Sequence, residues 1–101
     1  MKNPAQINPS EIADLCRRHH VRKLSYFGSV LRPDFGPNSD IDVLVEFELG
    51  TRPGFFGLAR MQRELSILLG GREVDLRTPG ELSRYFRDQV LASAQVQYAA
   101  G

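Results

Sequence analysis

The segment from Asp40 to Glu48, DIDVLVEFE, constrains this chain more than any other. Its residues alternate, with Ile41, Val43, Val45 and Phe47 on one side and Asp40, Asp42, Leu44, Glu46 and Glu48 on the other. That is the period-two pattern of a strand with one buried face. An apolar strand face has to be covered by a second layer, so the chain needs helices over this strand and further strands beside it.

Upstream, Asn8, Pro9 and Glu11 read as a helix start: Asn caps, Pro suits the first turn and Glu reaches back. The helix is expected to run to about His20, with Ile12, Leu15 and Cys16 inward and His19 one turn on. Lys23 to Phe27 favours a short strand that ends at Gly28 and Ser29. LRPDFGPN, with two prolines, a glycine and an asparagine, is turn chemistry.

Downstream, Thr51 to Gly54 is a turn. FFGLARMQRELSILL then spaces Leu58, Met61, Leu65, Leu68 and Leu69 at helical intervals and closes at Gly70 and Gly71. Phe55 and Phe56, opening this helix, are expected in the core or in a subunit contact. Glu73 to Arg77 alternates as a third strand, Val74 and Leu76 against Glu73, Asp75 and Arg77. Thr78 and Pro79 start a last helix, with Leu82, Phe86, Val90, Leu91 and Ala94 inward, running out near Tyr98. The order predicts an α+β (α/β) fold, a small mixed sheet of three or so strands covered by helices. A chain of 101 residues suits a single domain over 1–101, able to bury somewhat over about 60% of its extended surface.

The formal net charge of +1 gives no global field toward nucleic acid or an anionic membrane. Nucleic acid is therefore not expected as a partner, and the basic run RRHHVRK is read as a solvated helix end. The single cysteine, Cys16, is read as core filling, and with no secretory signal in MKNPAQINPSE the cytoplasm is the expected compartment. No apolar run approaches the roughly 20 residues of a membrane span.

Chemistry concentrates in Gly28-Ser29, ten intervening residues, then Asp40-Ile41-Asp42. Strand alternation projects Asp40 and Asp42 from one face with Cα atoms about 6.5 to 7 Å apart, so both carboxylates can grip one ion. Without a cation, two such charges about 5 Å apart repel by roughly 3 kcal/mol at an effective dielectric near 20. Hard oxygen donors with no nearby His or Cys select Mg2+, or Mn2+, over zinc. Mg2+ completes its shell with water and phosphate oxygens, which implies a phosphate-bearing ligand. Gly28 permits close backbone approach to a phosphate, Ser29 offers an N–H and a hydroxyl, and Arg32 a forked donor pair. If the third strand lies beside the second, Asp75 completes a three-carboxylate site and can act as general base on an attacking hydroxyl.

The string FGSVLRPDFGPNSDIDVLVEF resembles the signature of the nucleotidyltransferase superfamily that includes DNA polymerase beta, in its minimal nucleotidyltransferase (MNT) branch. The likeness extends through REVDLRTP and the final helix. The resemblance implies the nucleotidyltransferase fold, with Gly28 and Ser29 holding the triphosphate and Asp40, Asp42 and Asp75 as catalytic metal ligands. It further implies ATP as nucleotide donor and pairing with a HEPN-type toxin, whose tyrosine receives AMP, so that the chain acts as antitoxin. Leu31 and Pro33 depart from the small residue and glycine that many relatives carry around the arginine, which bears on Arg32.

Three functions compete at this level. The first is an enzyme that transfers AMP to a hydroxyl on a partner protein, since 101 residues leave no second substrate domain. The second is a binding module that neutralises a toxin by contact, its acidic cluster turning over little. The third is nucleotidylation of a small molecule. Base preference and oligomeric state stay open.

Overall fold

The computed structural model describes residues 9–31, 33, 36 and 39–100, except the side chains of Ser29 and Val30. The helix cap expected at Asn8 lies outside them. The first helix, α1, spans Pro9–Arg18 and buries Ile12, Leu15 and Cys16, as its pattern predicts. His20 ends it in the left-handed region at φ 58°, and its carbonyl accepts from the Glu48 backbone N–H at 2.9 Å. Burial pushes the Cys16 thiol up to about 12, consistent with inert packing.

Strand β1 covers Val21–Phe27 and β2 covers Ile41–Phe47, paired antiparallel. β1 starts two residues before the expected Lys23 because its register shifts between Val21 and Lys23. This bulge puts Val21 into the core beside Leu24, out of step with simple alternation. It also turns Arg22 onto Glu46, Nη2 to Oε1 2.6 Å.

Helix α2, Gly54–Leu68, crosses over to β3, Val74–Arg77, which pairs parallel with β2. A parallel pair needs such a crossover. Met61, Leu65 and Leu69 of this segment join the core, while Phe55 and Phe56 are largely exposed and stack edge to face 5.7 Å apart. Of the two places expected for these rings, the core or a subunit contact, the core is excluded. The helix turns its Met61/Leu65 face to the sheet, and the rings fall on the first turn outside it.

The last segment also differs from expectation. Instead of one helix there is a 3-10 turn at Pro79–Glu81, a short helix α3 over Arg87–Ser93, and a fourth strand, β4, over Gln95–Ala99. Thr78 and Glu81 form a reciprocal cap around a single turn, so the start signal is real but the helix does not propagate from it. β4 then pairs antiparallel with β1, giving the order β3-β2-β1-β4. Val96 and Tyr98 favour strand, and pairing satisfies the backbone groups of β1's otherwise open edge. Of the five residues expected inward, only Leu82 is buried; Phe86 and Leu91 are exposed.

The result is an α+β fold in two layers. α1 and α2 pack on one face of the mixed sheet, against Leu24, Tyr26, Ile41, Val43, Val45 and Val74. The other face carries Ser25 opposite Leu44, both fully buried. Among the described residues no helix is long and apolar enough to cross a membrane.

Four members of the basic run are paired at the surface. Arg17 meets Asp14, Arg18 and His19 both meet Glu64 on α2, and Arg22 meets Glu46. His19 lies 2.7 Å from the Glu64 carboxylate and, with Arg18, holds its pKa below the ordinary value. A folded-state pKa below the unfolded one stabilises above the unfolded pKa and is lost as pH falls through the folded one. Stability should therefore fall on acidification below about pH 4.5, the reference value for Glu64. Glu64→Gln should flatten that slope and cost under about 1 kcal/mol at neutral pH, as read by urea titrations between neutral and acid pH.

Candidate active site

The cleft on the face of the sheet opposite α1 and α2 is lined by Phe27, Asp42, Asp75, Arg77, Glu81, Leu82 and Phe86, with a volume near 330 Å³. Its floor is set by register. Phe27 of β1 lies opposite Asp42 of β2, and Asp42 is the parallel partner of Asp75 on β3. Side chains at paired positions share a face, so the two carboxylates come from neighbouring strands into one cleft. Asp40, directly before β2, is exposed and is not among the lining residues.

Gly28 follows β1 at φ +69°, where L side chains are disfavoured. A Cβ there would run into the Asp42 carboxylate oxygen. Glycine is thus required twice, for its backbone angle and for the space Asp42 occupies. The chain then turns through a 3-10 segment, Gly28–Leu31. The Ser29 side chain and all of Arg32 lie outside the described residues, so their expected phosphate contacts do too.

The approach to Asp40 is held from a distance. Arg72, between α2 and β3, donates from Nη2 to the carbonyls of Gly36 and Ser39. Ser39 closes a turn on Gly36, and the Ile41 N–H donates to the Glu73 carbonyl at 2.9 Å. One guanidinium therefore fixes the chain immediately before the Asp-x-Asp pair.

Asp75 has its own cation. Arg77 Nε sits 3.1 Å from Oδ1, and its Nη2 donates to Oδ2 at 3.3 Å. Glu81 is 3.9 Å from Arg77 Nη1. Among the described residues no three His, Cys, Asp or Glu side chains are drawn together as a metal cluster. The donor set of the cleft still fits a hard cation shared with a ligand. Its possible donors are carboxylates, with no His or Cys in the lining, and Mg2+ takes one or two carboxylates plus phosphate oxygens.

Sequence reasoning passed over Arg72, Arg77 and Glu81. Arg77 was legible, since it stands two residues from Asp75 on the same side of β3. Glu81 was legible as the partner of a Thr78 cap. Arg72 and the apolar wall of Phe27, Leu82 and Phe86 carried no local signal.

Residues 10–96 match the family described as Nucleotidyltransferase domain. The chain belongs to this nucleotidyltransferase family. A Methanocaldococcus jannaschii protein named "Putative protein adenylyltransferase" is 36% identical over 84 residues, covering 83% of this chain and 87% of its own length. A solved structure described as a "putative minimal nucleotidyltransferase" superposes with a TM-score of 0.70 at 36% identity, covering 85% of each chain. Together these identify the protein as a minimal nucleotidyltransferase. A mutant of the toxin–antitoxin MntA–HpeT aligns with a TM-score of 0.69 at 20% identity, over 93% of this chain and 75% of that one. A toxin–antitoxin crystal structure with AMP-PNP gives 0.64 at 22%, with the same coverages. At those identities the likeness is one of fold.

Two outcomes test the geometry. Gly28→Ala should cost about 1 to 3 kcal/mol of stability and, by displacing Asp42, weaken nucleotide binding beyond any loss explained by unfolding; thermal melts and ATP titrations separate the two. Arg72→Met should remove charged hydrogen bonds to the Gly36 and Ser39 carbonyls worth roughly 1.5 to 3 kcal/mol, read as a lower midpoint in urea titrations.

Proposed function

We propose that this minimal nucleotidyltransferase transfers AMP from ATP to a hydroxyl, that of a tyrosine on a partner HEPN-type toxin, and so acts as its antitoxin. The observation that carries this reading is the pairing of Asp42 with Asp75 across β2 and β3, in one cleft beside a glycine turn that has no room for a side chain. The relative's adenylyltransferase name supports the group transferred. The toxin–antitoxin neighbours, one of them with AMP-PNP, support the partner and the donor.

Asp40 and Asp42 would hold Mg2+ or Mn2+ from one side, with Asp75 as the third carboxylate. Gly28 and Ser29 would receive the triphosphate at the turn, and Arg32 would add a forked contact. When bound, the cation supplies charge neutralisation on the phosphates and alignment of the attacking and leaving oxygens. Asp75 would accept the proton of the acceptor hydroxyl as its oxygen bonds to the α-phosphorus. The α–β bridging bond breaks, and pyrophosphate leaves with the electron pair. Phe27, Leu82 and Phe86 would line the dry side of the cleft.

One observation favours a second reading, a module that neutralises its partner by contact with little turnover: Asp75 is already clasped by Arg77. Incubation with Mg2+, ATP labelled at the α-phosphate and the protein encoded beside it discriminates the two. Label should appear on the neighbour, and Asp42→Asn should reduce it by roughly two to three orders of magnitude, the effect of losing several kcal/mol of charge stabilisation. Absence of label at saturating ATP, or neutralisation undiminished in the variant, would favour the module.

A further inference from the structure

Arg77 sits between two carboxylates that differ in what fixes them. Toward Asp75 it makes a side-on, two-pronged contact, Nε at 3.1 Å and Nη2 at 3.3 Å. Toward Glu81 it stands off at 3.9 Å. Glu81 is anchored independently: its Oε1 accepts from the Thr78 N–H and the Thr78 hydroxyl, each at 3.1 Å, which leaves Oε2 facing the guanidinium. All three side chains are about half exposed and line the cleft that holds Asp42.

Both oxygens of Asp75 that a cation would need are thus engaged by the chain's own arginine. The positive charge lowers the repulsion between Asp75 and its register neighbour Asp42 while no other cation is there. A divalent ion cannot bind Asp75 without loosening that contact, because the two cations would repel across about 4 Å or less. Glu81 provides the alternative seat, 3.9 Å away in the same cleft.

We propose that Arg77 is a resident counter-ion that competes with the divalent cation for Asp75 and is handed to Glu81 when the cation enters. It is a positioning residue, acting through Asp75, and the inference rests on the proposed metal-dependent function. The exchange sets how much cation the cleft needs before Arg77 leaves Asp75. Loss of Arg77 should therefore strengthen cation binding, a direction opposite to that of a phosphate contact or a purely structural residue.

The test is calorimetric titration of the full chain with Mn2+ alone, without nucleotide, in parallel with thermal melts. Arg77→Gln should bind Mn2+ about two- to fivefold more tightly than wild type, the scale of a half-exposed ion pair. Glu81→Gln, which keeps the capping geometry but removes the second seat, should bind it more weakly. Arg77→Lys, with charge but no fork, should fall between wild type and Arg77→Gln. Unchanged or weaker Mn2+ binding by a folded Arg77→Gln overturns the exchange, and weaker ATP binding on top of this assigns Arg77 to phosphate. If wild type and Arg77→Gln both bind no Mn2+, alone or with a non-hydrolysable ATP analogue, the metal-dependent reading fails and the exchange fails with it.

Discussion

The parallel pairing of β2 with β3 is the constraint on which the rest depends. It places Asp42 beside Asp75, and a slip of one residue would send Asp75 to the helix-covered face and bring Val74 or Leu76 into the cleft. Register is held where β3 begins. The Ile41 N–H bonds the Glu73 carbonyl at 2.9 Å, and α2, packed by Met61, Leu65 and Leu69, delivers the chain back in the same direction. The apolar residues of β2 and β3 thus fix the acidic ones, since burying Ile41, Val43 and Val74 on one face leaves the carboxylates only the other.

Polar interactions refine that arrangement without creating it. Arg72 holds the chain before Asp40 by its carbonyls, and Arg77 neutralises Asp75. The basic stretch around α1 pairs with Asp14, Glu64 and Glu46. Those exposed pairs are each worth little, yet they explain why a run of six basic residues among seven can serve as internal stitching in a nearly neutral chain.

Much of this was legible because strand alternation is a local rule. Asp40 to Glu48 declared its two faces, and the Gly28-Ser29 to Asp-x-Asp interval pointed to phosphate chemistry before any pairing was known. The rule failed where geometry departs from strict period two. The bulge at Arg22 hid Val21 from the first strand, and Gln95–Ala99 read as the tail of a helix because its strand character comes from the vacant edge of β1. The core placement of Phe55 and Phe56 failed for a related reason: their hydrophobicity is local, but which side of α2 meets the sheet is not.

The sequence by itself determined the presence of a half-buried acidic strand, the helices over it, the glycine turn and membership in the nucleotidyltransferase family. Those properties follow from side-chain period, turn chemistry and motif spacing, all contained within a few consecutive residues. Tertiary structure alone decided that Asp75 is Asp42's neighbour, that a fourth strand closes the sheet, and that Phe27, Leu82 and Phe86 wall the cleft. These depend on contacts between segments far apart in the chain, whose free energy is set by burial and pairing that no local pattern records.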